Sequence, residues 1–252
     1  YVIYLDDDVF IKDYDWINKL TEVARISNSS IVGCAHTFEN GEVNHRGVLI
    51  YKNATTEMMR SNPLDNGIYA YVPAMSSAVM LVTEPKRFCF DKNFHKYQHD
   101  TDICLQAWKQ KAKVACALNL EVIHIQGDYM STNDNFRAIQ KKDDSFLQQK
   151  WRNYTERFLY EIQELKSYVS LAESVNWEKL YNEATLLAKK KPQLAKRILK
   201  EIVAECPNHW RIGSAYFHLY QLEGLRSHLE NCVKYYPYHV KATAELLELE
   251  KK

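Results

Sequence analysis

The sequence predicts an α/β domain, a sheet with flanking helices, followed by an all-α domain of helical repeats. Three observations predict it. Short apolar runs with strand character, at 1–5, 31–35 and 118–127, alternate with helical spacings through the first half of the chain. No strand pattern follows residue 133. Near the C-terminus, segments 198–209 and 228–239 align at an offset of 30, sharing Leu199/Leu229, Val203/Val233, Pro207/Pro237 and His209/His239. The expected division is 1–133 for the α/β domain, 134–173 for connecting helices and 174–252 for the repeats.

Composition narrows the function classes. A chain of 252 residues that is 46% hydrophobic can bury one large or two smaller cores. A net charge of +1 gives no overall pull towards nucleic acid, which is not expected as a partner. The six cysteines are scattered without a Cys-x-x-Cys pair, as expected of reduced thiols in the cytosol. No apolar run reaches membrane-spanning length, and no signal peptide is expected. Because the first residues already read as a strand, the sheet is expected to lack an N-terminal part.

The elements follow in order. Tyr1–Leu5 reads as a buried strand of a parallel sheet that stops at the triplet Asp6-Asp7-Asp8. Ligands of open α/β sheets bind beyond the carboxyl ends of strands. Strand alternation would let Asp6 and Asp8 converge while Asp7 points away. Three adjacent carboxylates repel one another, and a hard divalent cation is the usual reason to gather them. A helix cap is the plainer explanation, but a cap needs one Asp.

Residues 13–26 carry an amphipathic spacing (Trp16, Ile17, Leu20, Val23, Ala24), predicting a helix. The run 31–35 predicts a buried strand. Asn40-Gly41 predicts a hairpin, with Val48–Ile50 as its return strand. Residues 53–69 read as a loop that could serve as a lid. Segment 69–84 is extended, broken by Pro73 and by the small residues Ser76, Ser77 and Ala78, which would admit a ligand closely.

A helix is predicted after Asp102, with Asp100, Thr101 and Asp102 at its start. Asp102 reads as a carboxylate favoured by the helix dipole. Asp100, placed outside the helix beside His99 and under Phe88, Phe90, Phe94 and Tyr97, is a candidate general base. His124 ends the strand 118–127. A single His on a strand is usually a core residue, but this one stands at the strand's end, where ligation is open to it.

Taken together, Leu5-Asp6-Asp7-Asp8, the Gly41–Gly47 hairpin, the small-residue strand, Phe90-Asp91-x-x-Phe94, His99-Asp100-Thr101-Asp102 and the strand ending at His124 resemble family-two inverting glycosyltransferases of the GT-A fold. The resemblance covers roughly residues 1–130. It implies a nucleotide-sugar donor and Mn²⁺ or Mg²⁺ as cofactor. Asp8 and His124 would be metal ligands, Asp6, Asp7, Ser76 and Ser77 would face the donor, and Asp100 would be the base. Asp91 and His99 would lie on the acceptor side, the acceptor being a saccharide, a lipid-linked group or a protein. The chain departs from the family pattern at His99, where Glu is usual, at Gln106, where Arg is common, and at Phe88-Cys89, where glycines are common.

The repeat segment resembles tetratricopeptide-type helical hairpins, whose usual period is ~34 residues. It would serve as a spacer or as a docking surface for a protein partner. Placement in the cytoplasm, including the inner face of a membrane, is expected. The competing reading from another class is a non-catalytic scaffold that works through the repeats. A metal-dependent phosphotransferase would also use paired Asp, but neither a P-loop nor a His-nucleophile motif is present.

Overall fold

The computed structural model describes residues 1–60, 67–125, 134–168, 177–205 and 211–251. They form a mixed α/β structure of two compact units, one built from residues 1–125 and 129–174, the other largely from 175–252.

The first unit is organised on two central strands, β3 (Ile31–Thr37) and β9 (Val114–His124), which pair in parallel. Every other pairing among the described strands is antiparallel. The outer side of β3 carries β8 (Val79–Val82) at one end and β4 (Val43–His45) at the other, and β1 (Val2–Leu5) pairs with β8. The outer side of β9 carries β7 (Tyr69–Tyr71) and then β2 (Val9–Phe10). β5 (Val48–Ile50) and β6 (Thr56–Met58) form a separate two-stranded sheet.

Both faces of β3 and of the first half of β9 are covered, which is why those stretches are apolar without alternation, while β9 alternates from Leu118, with Asn119 and Glu121 exposed. Val32, Cys34, Leu81, Ala115 and Ala117 pack on one face against Leu20 and Val23 of α1 (Trp16–Ser27). Ile31, Met80, Val82, Val114 and Cys116 pack on the other against Ile103 and Trp108 of α2 (His99–Lys109). The same cluster takes in Leu147 and Trp151 of α3 (Asp134–Arg157), then Leu159, Leu165 and Tyr168 of two 3-10 turns. The connecting segment 134–168 is thus part of the first unit's core.

Three expectations are corrected here. β1 is not a buried strand of a parallel sheet: it pairs antiparallel with β8, and Val2 and Leu5 are exposed. The hairpin at Asn40-Gly41 returns through Val43–His45, because Val48–Ile50 bonds to Thr56–Met58 instead. Part of the expected loop 53–69 is therefore strand, and its 61–66 portion lies outside the described residues. The cysteines at 34, 89, 104, 116 and 232 are free thiols.

The second unit contains α4 (Trp177–Leu187), α5 (Pro192–Glu205), α6 (Ile212–Glu223), α7 (Arg226–Tyr235) and α8 (Val240–Glu250), each packed on the next. α5 and α7 end 30 residues apart, and the matched Leu199 and Leu229 are both fully buried. Phe217 is buried and its ring lies 4.3 Å from that of His239. Tyr216 stacks on Tyr235, so aromatics of this segment fill seams between helices. Trp210 lies outside the described residues.

Candidate functional site

β1 ends at Leu5, and the Asp6 amide then donates to the Ala78 carbonyl at 3.0 Å, fixing the start of the triplet beside the chain that leads into β8. Asp7 and Asp8 form a turn into β2, where Val9 stands in register with His124. The Ile125 amide donates to the Asp8 carbonyl at 3.0 Å, closing the junction. Asp8 Oδ1 comes 3.1 Å from His124 Nε2, and one ligand atom from each of Asp6, Asp8 and His124 lies within 4.8 Å of the other two. The carboxylates therefore converge through a turn, not through strand alternation. Asp7 is exposed and outside this trio.

The trio offers two carboxylate oxygens and one imidazole, a donor set that could hold a divalent cation. Asp6 already bears a cost of assembly. Partial withdrawal from water raises its carboxyl above the usual range, and the neighbouring Asp8 and Asp100 push it further up against the opposing pull of His124.

Behind the trio stand two more histidines. The His36 ring lies edge-on to His124 with centroids 5.3 Å apart, and 4.8 Å from His45, its register partner on β4. Burial pushes both well below the ordinary imidazole range, His45 to about 4, so both are neutral near pH 7. The amides of Gly47 and Ser76 each lie 3.3 Å from a ring nitrogen of His45, and the neutral ring accepts from one of them.

Asp100 faces Asp6 across the small-residue segment. Its Oδ2 accepts from the Ser77 amide at 3.3 Å, one residue before the carbonyl that holds Asp6. Ser76 and Ser77 are half-buried, and the Ser76 hydroxyl accepts from the Ala78 amide at 3.3 Å. His99 stacks edge-on over Phe90 at 4.9 Å, and Phe90 meets Tyr4 of β1 at 4.5 Å, so an aromatic row joins the strand of Asp6 to the helix of Asp100. Asp100 lies in the first turn of α2, not outside it. The residue ahead of that helix, Gln98, adopts φ 66, a left-handed conformation that costs a non-glycine residue energy. Its side-chain amide bonds to Thr56 and Asp144 hold it there.

Asp102 is not a simple cap. It is fully buried, accepting from Trp151 Nε1 at 2.6 Å and Gln106 Nε2 at 2.7 Å, with Lys150 Nζ at 2.8 Å. The same Lys150 pairs with Asp91 at 2.7 Å, and the other Asp91 oxygen accepts from Asn93. Both oxygens of Asp91 are thus engaged within the unit. Two turns earlier in α3, Asp143 accepts from the amides of His95, Lys96 and Tyr97. Burial favours its neutral form, but those amides win and hold the carboxyl low.

The structure gathers Asp6, Asp8, His124, Asp100, Ser77 and His99 into one region and sets Asp91 into the brace from α3. His36, His45, Lys150 and Asp143 were not found by sequence reasoning. The two histidines carry a weak signal, as polar residues facing each other across a hairpin. Lys150 and Asp143 carry none, because their partners lie about 50 residues away. A scan against protein-family models and a search of curated proteins returned no match.

Proposed function

We propose that the chain is a metal-dependent inverting glycosyltransferase of GT-A type, moving a sugar from a nucleoside-diphosphate donor to an acceptor hydroxyl. The observation that carries this reading is the convergence of Asp6, Asp8 and His124 on one point, with Asp100 facing Asp6 across Ser77 and Ala78. Asp8 and His124 would hold Mn²⁺ or Mg²⁺. The bound ion would offset charge developing on the leaving diphosphate. Asp6 and Asp7 bind the donor, whose close approach the small side chains of Ser76 and Ser77 permit. Asp100 takes the proton from the acceptor hydroxyl as that oxygen attacks the anomeric carbon. His99 and its aromatic row border the acceptor side, and Asp91 shapes that side through Lys150.

The C-terminal unit acts as a tetratricopeptide-like module that presents the acceptor or a protein partner. The expected setting is cytoplasmic, at or near the inner face of a membrane. No helix among the described residues is long and apolar enough to cross one.

A screen of nucleotide sugars, read as nucleoside diphosphate released in the presence of Mn²⁺, tests the proposal. Release with at least one donor, abolished by Asp8→Ala or by chelation, is expected. No release from any donor, with and without candidate acceptors, would leave the scaffold reading in its place.

A further inference from the structure

Among the described residues, buried side-chain atoms without a hydrogen-bond partner are few, and two of them belong to neighbouring rings at this site. They are Nε2 of His36 and Nδ1 of His124. His36 is 1% exposed and His124 9%, so neither nitrogen has open water to turn to. A buried polar atom left unpaired is costly, and native structures rarely keep two side by side. The other nitrogen of His124, Nε2, is the one that faces Asp8.

An imidazole that ligates through Nε2 must carry its proton on Nδ1, and that N–H needs an acceptor to hold tautomer and ring angle. His36 is the neighbouring ring that also carries an unpartnered buried nitrogen. It projects from β3 on the side of His45, with its ring edge-on to His124. The rings are too far apart for direct bonding, since neither nitrogen has a partner within hydrogen-bond reach. One ordered water can bridge two such atoms.

We propose that His36 is a positioning residue for the metal site: across one water it accepts the hydrogen bond of His124 Nδ1–H, and so aims the Nε2 lone pair at the ion. The inference rests on the metal reading above. It adds that the site is set from behind by a strand residue outside the acidic motif. Tight binding of Mn²⁺ or Mg²⁺ then depends on polarity at position 36, not only on its size.

The test compares His36→Phe, which keeps a ring without nitrogens, with His36→Gln, which keeps a polar end. Mn²⁺ affinity is read from the electron paramagnetic resonance of free Mn²⁺. Wild-type protein, Asp8→Ala and His124→Ala are the references. His36→Phe should weaken Mn²⁺ binding by ~10–100-fold, the range for lost support of a metal ligand, and His36→Gln should recover most of it. In wild-type protein with Mg²⁺, ¹⁵N spectra should show His124 as a single tautomer protonated at Nδ1.

If His36→Phe binds Mn²⁺ as tightly as wild type while Asp8→Ala and His124→Ala do not bind, this inference fails and the metal reading stands. If Asp8→Ala binds as wild type does, or wild type binds no Mn²⁺, both fail. Should His36→Phe not fold, His36→Leu, which also removes the acceptor nitrogen, is read in its place against the same references, and Mn²⁺ binding as tight as wild type would overturn the proposal.

Discussion

The Ser77 amide donates to Oδ2 of Asp100 at 3.3 Å, while the next residue, Ala78, takes the Asp6 amide on its carbonyl at 3.0 Å. One short segment therefore spaces the proposed base from the proposed donor site. Asp100→Asn keeps the shape and one of the two amide contacts, from Ser77 or Thr101, but cannot take a proton. Turnover should fall by ~10²–10⁴-fold with donor binding preserved. Steady-state kinetics beside calorimetry of donor binding checks this, and the register is wrong if Asp102→Asn, not Asp100→Asn, removes turnover from a folded protein.

Lys150 joins Asp91 and the fully buried Asp102, so its loss leaves a buried carboxylate without its cation. Lys150→Met should destabilise the first unit by about 3 kcal/mol. The double variant with Asp102→Asn should lose less than the two single effects combined. Denaturant unfolding read alongside hydrogen exchange of α2 amides measures both quantities, and strict additivity would show that the pair does not couple.

The buried neutral histidines make stability depend on pH in a definite direction. Burial first, then the charge at His124, holds His45 at about 4, below its unfolded value of 6.5. Between those values the unfolded chain binds more protons, so stability is full above pH 6.5 and declines as pH falls towards 4. For His45 the full effect is about 3 kcal/mol. Thermal melts from pH 7 to 4.5 should show the decline, with His36 adding to it in the same direction. His45→Gln should remove part of the slope, and an unchanged slope would contradict the assignment.

In the second unit α6 and α7 meet at Gly213. A Cβ there would lie 2.6 Å from Cβ of Tyr236, too close for contact, and a tight 3.2 Å from the Cys232 carbonyl. Gly213→Ala forces the helices apart and should destabilise this unit by about 1–3 kcal/mol. Urea unfolding followed by helix signal should show the loss, whereas Gly224→Ala should cost through its φ of +69 and not through a clash.

The sequence by itself determined several local elements, among them α1, β3 and α2, and the residue types of the site. The continuous apolar run of β3 announced a buried strand, because such a run has no solvent side to keep polar, whereas only the second half of β9, from Leu118, was legible as strand. The acidic triplet and the terminal His124 announced candidate ligands, because like charges are gathered only for a reason. What lay beyond local pattern was partnership. The edge position of β1 followed from its pairing with β8 some 75 residues away, and the convergence of Asp6 with Asp8 from a turn whose register His124 fixes. Asp102 looked like a helix cap until Lys150 and Trp151 came to it from α3. Periodicity describes what a segment needs, a face covered or a charge matched. Only the tertiary structure decides which distant residue supplies it, because that choice is made by packing the whole unit at once.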